Sequence, residues 1–218
     1  MKLYSYFRSS AAYRVRIALN LKGLAYDVVP VHLLKNGGEQ FSPEYRKVNP
    51  NALIPALVDG SVPGQSALTQ SLAIIEYLEE VYPNPPLLPH TAFDRAYVRS
   101  IALSIACEIH PLNNLRVMRY LVNELKLGED TKDAWYRHWC EQGLAAVEAT
   151  LAQDGRVGKF CYGDAPSLAD CLLVPQVANA QRTNCDLSVM PTILRINEAC
   201  LALDAFAKAT PAMQPDKE

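Results

Sequence analysis

The sequence predicts an α/β domain followed by an all-helical domain. Before residue 82, short β-rich runs alternate with helical patterns, whereas after residue 90 the patterns are helical alone. Between them lies PNPPLLP, residues 83–89, with four of the fifteen prolines of the chain. Because neither a helix nor a central strand tolerates so much proline, we expect a linker there. We therefore place the domains at residues 1–84 and 85–218.

The first domain is predicted to alternate strands with helices. The strands are expected in KLYSYF, AYDVVPV and PALVDG, which start at residues 2, 25 and 55, and in the short run 67–69. Helical spacing of apolar residues occurs in SSAAYRVRIALNLKG, from residue 9, and in SLAIIEYLEEVY, from residue 71. The segment before the third strand is expected to lack regular structure. A strand–helix–strand order implies at least one parallel pair of strands.

The second domain is predicted to be a helical bundle, with helices over 91–126, 132–152, 167–182 and 191–208. Pro111 should kink the first of these helices and Pro175 should bend the third, because proline removes a helical hydrogen bond. The pattern Ser167-Leu168-Ala169-Asp170 is a capping box in front of an apolar run.

Composition excludes several classes of function. Lys and Arg total 21 against 23 Asp and Glu, a net charge of −2, so we expect no nucleic-acid partner. No apolar run approaches the ~20 residues of a membrane helix, and MKLYSYFRSS has no apolar signal core, so we expect a cytoplasmic protein without a membrane partner. The six cysteines form no CxxC pair, so neither a disulfide scaffold nor a metal site is expected.

Three junctions of the first domain could carry chemistry. Arg8-Ser9-Ser10 precedes the first helix, where unpaired N–H groups stabilise an anion or a thiolate, although either serine could simply cap the helix. Ile54-Pro55 precedes the third strand, and most such peptide bonds are trans. Gln70-Ser71 opens the next helix, where Ser71 is a natural cap and a bound carboxylate is the alternative.

Two residues of the second domain are also candidates. Histidine side chains in general titrate near neutral pH, but a lone histidine such as His110 is more often structural than catalytic. Arg182 ends a helix, where a cation suits the helix dipole even without a function. Taken singly, none of these features identifies an activity.

Taken together, they resemble the cytosolic glutathione transferases. The string RSSAAYRVRIAL at residues 8–19 is similar to the signature of the zeta class, and QSLAIIEYLEE at 70–80 and ADCLLVPQVANA at 169–180 indicate the same class. The resemblance covers essentially the whole chain. It implies a thioredoxin-like α/β N-terminal domain that binds glutathione, an all-α C-terminal domain, and a homodimer.

The resemblance also implies roles for individual residues. Ser9 would hydrogen-bond the sulfur of glutathione, Ile54 would offer its backbone beside a cis Pro55, and Gln70 with Ser71 would hold the γ-glutamyl end. The implied glutathione contacts are Ser9, Ser10, Gln40, Ile54, Pro55, Gln70, Ser71, His110, Asn114 and Leu115. The implied catalytic residues are Ser9, Ser10 and Arg8, and the implied substrate-binding residues are Arg8, Arg116 and Arg182.

One position departs from the family signature. The family usually has Ser-Ser-Cys, whereas this chain has Ala11 after Ser10. No cysteine can therefore assist or be alkylated at this position, which casts doubt on activities that need the extra thiol. Isomerisation does not need it, because Ser9 and the thiol of glutathione remain.

The implied activity is a glutathione-dependent cis–trans isomerisation of maleylacetoacetate to fumarylacetoacetate in tyrosine and phenylalanine catabolism, by reversible thiolate addition to the cis double bond. Three alternatives stay open. One is a maleylpyruvate isomerase, since animal maleylacetoacetate isomerases have a small polar residue where this chain has Arg116. The others are a general glutathione transferase or peroxidase, and a binding module without catalysis.

Overall fold

The structure is a computed structural model that describes residues 1–62, 64 and 66–218. The chain forms two compact units. The first consists of Met1–Leu87 together with Leu201–Glu218, and the second of Leu88–Cys200. The observed boundary after Leu87 lies close to the predicted one after residue 84. At the other end the structure differs from the predicted second domain, because residues 201–218 return to the first unit.

A four-stranded sheet forms the centre of the first unit. Its strands are β1 Lys2–Ser5, β2 Asp27–Pro30, β3 Ala56–Val58 and β4 Leu68–Thr69. Their order in the sheet is β2-β1-β3-β4. The pair β1–β2 is parallel, which confirms the expected crossover, whereas β1–β3 and β3–β4 are antiparallel.

Helices make up most of the rest of the chain. They are α1 Ser10–Leu21, α2 Pro43–Val48, α3 Ser71–Val81, α4 Ala92–Leu103, α5 Leu115–Asn123, α6 Glu129–Gln153, α7 Leu168–Arg182, α8 Pro191–Leu201 and α9 Asp204–Ala207. Among the described residues, no helix is both long enough and apolar enough to cross a bilayer.

The segment between β2 and β3 contains regular structure that the sequence analysis missed. Two short 3-10 turns, Lys35–Gly37 and Glu39–Phe41, lead into α2. Ser42 caps α2 by accepting a hydrogen bond from the N–H of Tyr45 at 3.2 Å, and Pro43 occupies the first turn. A serine followed by proline and glutamate is a recognisable helix start, so the prediction of an irregular segment was wrong.

The long helix predicted over 91–126 is divided in the structure. After α4 the chain continues as a π-helical segment, Ser104–Ile109, and Pro111 lies in the turn that follows. Asn114 then caps α5, since its side chain accepts from the N–H of Arg116 at 3.1 Å. A proline was expected to kink this helix, but together with the cap at Asn114 it ends one helix and begins another.

The capping box at the start of α7 is confirmed. Both of its hydrogen bonds, between Ser167 and Asp170, are present. Asp170 is fully buried and also accepts from the N–H of Cys161 at 2.9 Å. Burial raises the pKa of this carboxyl group, while the N–H and hydroxyl donors around it oppose the rise.

The C-terminal segment packs on the first unit through α9. Phe206 and Ala209 are fully buried there. Asn20 of α1 donates to the carbonyl of Ala205 at 2.9 Å, and Arg16 of the same helix donates to the carbonyl of Ala209 at 3.0 Å. Two polar side chains of α1 therefore bind the backbone of Ala205 and Ala209. Helical periodicity in the sequence does not reveal such a long-range contact.

A buried ion pair joins the ends of α1 and α3. Lys22 Nζ lies 2.8 Å from Glu79 Oε2, with side-chain exposures of 0% and 6%. Lys22 also donates to the carbonyls of Tyr82 and Pro85, at 2.7 and 3.0 Å, and Glu79 accepts from the N–H of Leu87. The pair thus fixes the proline-rich segment that follows α3.

We expect Lys22→Met to lower the free energy of unfolding, measured by urea denaturation, by about 3–5 kcal/mol, because it leaves the buried carboxylate of Glu79 without its cation. Lys208→Met is the matched control. Lys208 pairs with Asp204 at 2.7 Å on the exposed surface, where an i,i+4 pair contributes about 0.3–0.5 kcal/mol. Equal losses in the two variants would contradict the structural role given to Lys22.

Candidate functional site

The register of the sheet brings three of the predicted segments to one edge. Tyr4 of β1 is paired with Ala56 of β3, and Ala56 is paired with Thr69 of β4. The end of β1, the start of β3 and the end of β4 therefore lie side by side. Each strand end continues into a predicted site segment, namely residues 8–10, 54–55 and 70–71.

An apolar cluster is formed by residues next to strand ends and by one residue of α2. It consists of Tyr6, Phe7, Val31, Tyr45 and Ile54, all of them buried. The cluster holds the loop after β1 against the residue before the cis proline, and its members come from three strand ends and from α2. Packing at interior density fixes the relative positions of these segments.

The backbone before β3 is held by two side chains of the α2 region. Tyr45 Oη and Asn49 Nδ2 each donate to the carbonyl of Leu53 at 2.7 Å. The Ile54–Pro55 bond that follows is cis, as the family resemblance implied. Tyr45 and Asn49 were missed as site residues, and the Ser42–Pro43 helix start would have indicated the element that carries Tyr45.

Ser9 lies immediately before the first residue of α1. Its Oγ accepts from the N–H of Ala12 at 3.2 Å, which makes Ser9, and not Ser10, the cap of the helix. A hydroxyl that accepts one hydrogen bond still has a proton to donate. Capping and ligand binding are thus compatible at Ser9. Ser10 is the first residue of α1 and is buried.

Arg8 is the charged residue of the same loop. Its side chain is exposed, and its guanidinium carbon lies 6.0 Å from the centroid of the Phe7 ring. Burial raises the pKa of the Tyr6 phenol, and the positive charge of Arg8 opposes the rise. The loop therefore presents a cation and a hydroxyl in consecutive residues.

At the start of α3 the structure corrects one prediction. Ser71 does not cap the helix, because Gln70 occupies the cap position and Ser71 Oγ instead accepts from Arg14 Nη1 at 3.3 Å. Gln70 has φ 68° and ψ 114°, a costly conformation for a residue with a side chain. The first N–H groups of α3 have no side-chain cap within the described residues, so they can bind a carboxylate.

Gln40 is the most deeply buried polar side chain among the predicted contacts, at 4% exposure. Its Oε1 has no hydrogen-bond partner in the part of the chain that the structure describes. A Cβ at Gly38 would lie 2.7 Å from Gln40 Nε2, so glycine leaves the amide its space. A buried amide oxygen without a donor is unfavourable, and a ligand N–H would satisfy it.

The second unit holds the remaining predicted residues. His110 Nε2 lies 3.4 Å from Asn114 Nδ2, and Asn114 caps α5, in which Leu115 and Arg116 are the first two residues. Arg116 is exposed. His110, Asn114, Leu115 and Arg116 therefore all lie in the connection before α5 or in the first residues of α5.

This turn is anchored to α6. Asn113 Nδ2 donates to the carbonyl of Tyr136 at 3.1 Å, and Trp135 Nε1 donates to the carbonyl of Leu112 at 3.0 Å. Burial raises the pKa of the Tyr136 phenol, and the positive charge of Arg182 opposes that rise. Arg182 is exposed at the end of α7 and donates to Asn179 Oδ1 at 3.2 Å.

The predicted residues therefore fall into two groups, one in each unit. The first unit contains Arg8, Ser9, Ser10, Gln40, Ile54, Pro55, Gln70 and Ser71. The second unit contains His110, Asn114, Leu115, Arg116 and Arg182. The geometry of the first group suits a flexible ligand with peptide groups, a terminal carboxylate and a polar atom at Ser9.

Known proteins are similar to this chain in sequence and in architecture. Residues 3–86 match the family model for the glutathione S-transferase N-terminal domain. The chain is 49% identical over 214 residues to a probable maleylacetoacetate isomerase of Vibrio cholerae, covering 98% of this chain and 97% of that one. It is 46% identical over 216 residues to a maleylpyruvate isomerase of a Ralstonia species, covering 99% of each.

Two solved structures are similar over 100% of both chains, each with a TM-score of 0.94. One, 46% identical, is a holo maleylpyruvate isomerase described as a bacterial glutathione S-transferase of the zeta class. The other, 42% identical, is a maleylacetoacetate isomerase of Methylobacterium extorquens AM1 with bound malonate and glutathione. With this fold and nearly full-length identity of 46–49% to named members, the chain belongs to the zeta-class glutathione transferase family.

Proposed function

We propose that this protein is a glutathione-dependent isomerase that converts maleylacetoacetate to fumarylacetoacetate in tyrosine and phenylalanine catabolism. The observation that carries the proposal is the Ser9 hydroxyl. It lies at the N-terminus of α1, accepts one hydrogen bond from Ala12 and keeps its proton to donate. Relatives named maleylacetoacetate isomerase at 46–49% identity support the choice of reaction.

The first unit has the donors and acceptors that glutathione requires. The uncapped N-terminus of α3 at Gln70 and Ser71 would bind the γ-glutamyl carboxylate. The backbone of Ile54 would pair with the cysteinyl residue, and the buried Oε1 of Gln40 would accept an N–H of the tripeptide. His110, Asn114 and Leu115 are proposed as further contacts on the family resemblance.

When bound, glutathione supplies a thiolate that adds reversibly to the cis double bond, so that the bond can rotate before the thiolate leaves. The chain's task is to keep the sulfur ionised. Ser9 would donate its hydrogen bond to the anion, and the N-terminus of α1 would add its positive potential. A decrease of one unit in the thiol pKa corresponds to about 1.4 kcal/mol of stabilisation of the charged form.

Three arginines would bind the substrate. The substrate carries carboxylates, and its carbonyl oxygen becomes negatively charged when the thiolate adds. Guanidinium groups can form charge-assisted hydrogen bonds with the carboxylates and with this oxygen. Arg8 directly follows Phe7 of the apolar cluster, Arg116 is the second residue of α5 and Arg182 is the last residue of α7. All three side chains are exposed and can therefore reach a ligand.

A reducing compartment and a homodimer complete the proposal. All six cysteines lie in the described part of the chain and none forms a disulfide, which suits the cytoplasm. Exposed apolar side chains of α4, Phe93 at 76% and Leu103 at 40%, suit burial against a second copy.

Purified protein should isomerise maleylacetoacetate when glutathione is present and leave total thiol constant, because the thiolate is released in each cycle. The measurement follows both substrate and thiol, with and without glutathione. Faster turnover of chloronitrobenzene or hydroperoxides, with thiol consumed, would instead identify a general transferase or peroxidase. No glutathione binding at millimolar concentration would identify a module without this catalysis.

Maleylpyruvate isomerase is the second candidate. It is favoured by Arg116, which matches an arginine of maleylpyruvate isomerase-like sequences, and by 46% identity to the Ralstonia enzyme. The ratio of kcat/KM values for the two substrates decides between the candidates. A larger value for maleylpyruvate would replace the proposed substrate and keep the mechanism.

We expect Ser9→Ala to lower kcat of the isomerase about 10²-fold, because it removes the donor that stabilises the thiolate. Loss of the helix cap alone should cost about 1 kcal/mol of stability. Thr91→Ala is the matched control, since Thr91 Oγ1 caps α4 by accepting a hydrogen bond from the backbone N–H of Asp94 at 3.1 Å. It should lower stability similarly and leave kcat unchanged. Full activity of Ser9→Ala would assign the thiolate to Ser10 or to the helix N-terminus.

We expect Arg116→Ala to raise KM for the diacid substrate about tenfold, with KM for glutathione nearly unchanged, because a guanidinium–carboxylate pair is lost. Initial rates with each substrate varied in turn measure the two constants. Arg195→Ala removes an exposed arginine that donates to the carbonyl of Gly158 and should leave both constants unchanged. Equal increases of both constants in Arg116→Ala would exclude Arg116 from the substrate site.

The homodimer is tested by light scattering on the eluting protein. The expected mass is twice the 24.1 kDa of one chain. Phe93→Asp should shift the mass towards that of a single chain. The proposed dimer would bury residue 93 against the second copy, and burying a charge there is costly. A mass of 24.1 kDa for the unmodified protein would contradict the proposal.

A further inference from the structure

The loop that carries Ser9 is held by side chains from outside it. Phe7 lies just before Arg8 and Ser9, and both of its backbone polar groups are bound by charged side chains. Its N–H donates to Asp216 Oδ2 at 2.9 Å, and its carbonyl accepts from Arg16 Nη2 at 3.2 Å. Charge-assisted hydrogen bonds of this kind are stronger than neutral ones.

Arg16 connects this loop to the C-terminal segment. Its side chain is fully buried in α1. Nη1 donates to Ser5 Oγ at 3.0 Å, and Nε donates to the carbonyl of Ala209 at 3.0 Å. Burial lowers the pKa of Arg16 to about 10, and the negative charge of Asp216 opposes the decrease, so the guanidinium is charged at neutral pH.

Asp216 itself is held between two anchors. Before it, Gln214 Nε2 donates to the carbonyls of Lys208 and Thr210 at 3.0 and 2.9 Å. After it, Glu218 pairs with His32 at 3.4 Å and with Lys35. The carboxylate is therefore presented to Phe7 by a segment of fixed conformation.

The second oxygen of Asp216 indicates more than a structural role. Oδ1 is buried, and among the residues that the structure describes it has no hydrogen-bond partner. A carboxylate that has a buried and unsatisfied oxygen contributes poorly to stability. Departures of this kind from optimal packing are characteristic of functional sites.

We propose that the C-terminal segment is a working part of the catalytic site, in which Asp216 and Arg16 are positioning residues that hold Phe7 so that Ser9 can stabilise the glutathione thiolate. The proposal rests on the proposed function. It assigns to residues 204–218 a role that neither the domain boundary nor the family motifs indicate. Asp216 acts through the backbone of Phe7, and it touches neither the sulfur nor the substrate.

Variants of Asp216 separate position from charge. Asp216→Ala removes the acceptor of the Phe7 N–H. Asp216→Asn keeps an amide oxygen that can accept the same hydrogen bond but removes the charge. Asp216→Glu keeps the charge and displaces the carboxylate by one methylene. The matched control is Asp204→Ala, an aspartate of the same segment whose carboxylate pairs with Lys208, four residues further along, at 2.7 Å.

Four measurements are made on each full-length variant. Hydrogen exchange reports the protection of the Phe7 amide without any ligand. Ultraviolet titration of the thiolate reports the pKa of bound glutathione. Initial rates separate kcat from KM for glutathione. A thermal melt confirms that each variant is folded.

If the proposal is correct, Asp216→Ala exchanges the Phe7 amide faster, raises the pKa of bound glutathione by about one unit and lowers kcat about tenfold, at similar KM. Asp216→Asn restores all three values to within about twofold of the unmodified protein. Asp216→Glu is impaired like Asp216→Ala, and Asp204→Ala is unaffected.

The proposal is overturned if Asp216→Ala leaves exchange and thiol pKa unchanged. It is also overturned if Asp216→Glu behaves like the unmodified protein while Asp216→Asn is impaired, because charge and not position would then be responsible. The proposed function fails separately. An unmodified protein that binds glutathione without isomerising either substrate would refute the function, and the thiol pKa of the variants would still test the positioning role.

Discussion

The in-register pairing of Tyr4, Ala56 and Thr69 is the constraint on which the site of the first unit depends. It brings one end of β1, β3 and β4 to the same edge of the sheet, so segments that are remote in sequence become neighbours. A slip of one residue would turn the side chains of a strand to the opposite face and separate these segments. The apolar cluster around Ile54 and Phe7 then fixes how far apart they lie.

Main-chain groups form part of the candidate site in the first unit. The N–H groups at the starts of α1 and α3, the cis peptide before Pro55 and the strained Gln70 are all main-chain features. Side chains such as Tyr45 and Arg16 act on the main chain by binding its carbonyls.

In the second unit, an interruption between two helices brings candidate site residues close together in the chain. The π-helical segment, Pro111 and the cap at Asn114 convert one long apolar pattern into two helices. The interruption gathers polar and charged residues into one turn, which α6 holds through Asn113 and Trp135. Such interruptions are frequent at functional sites because they free backbone groups and redirect side chains.

The sequence by itself determined the α/β and all-helical parts, the parallel strand pair and the capping box at Ser167. These follow from local chemistry, namely periodicity, proline and capping. Only the tertiary structure decided that residues 201–218 join the first unit, that Arg14 takes the hydroxyl of Ser71, and that Asp216 binds the backbone of Phe7. These contacts join residues that are far apart in the chain, and no local pattern specifies the partner of a long-range hydrogen bond.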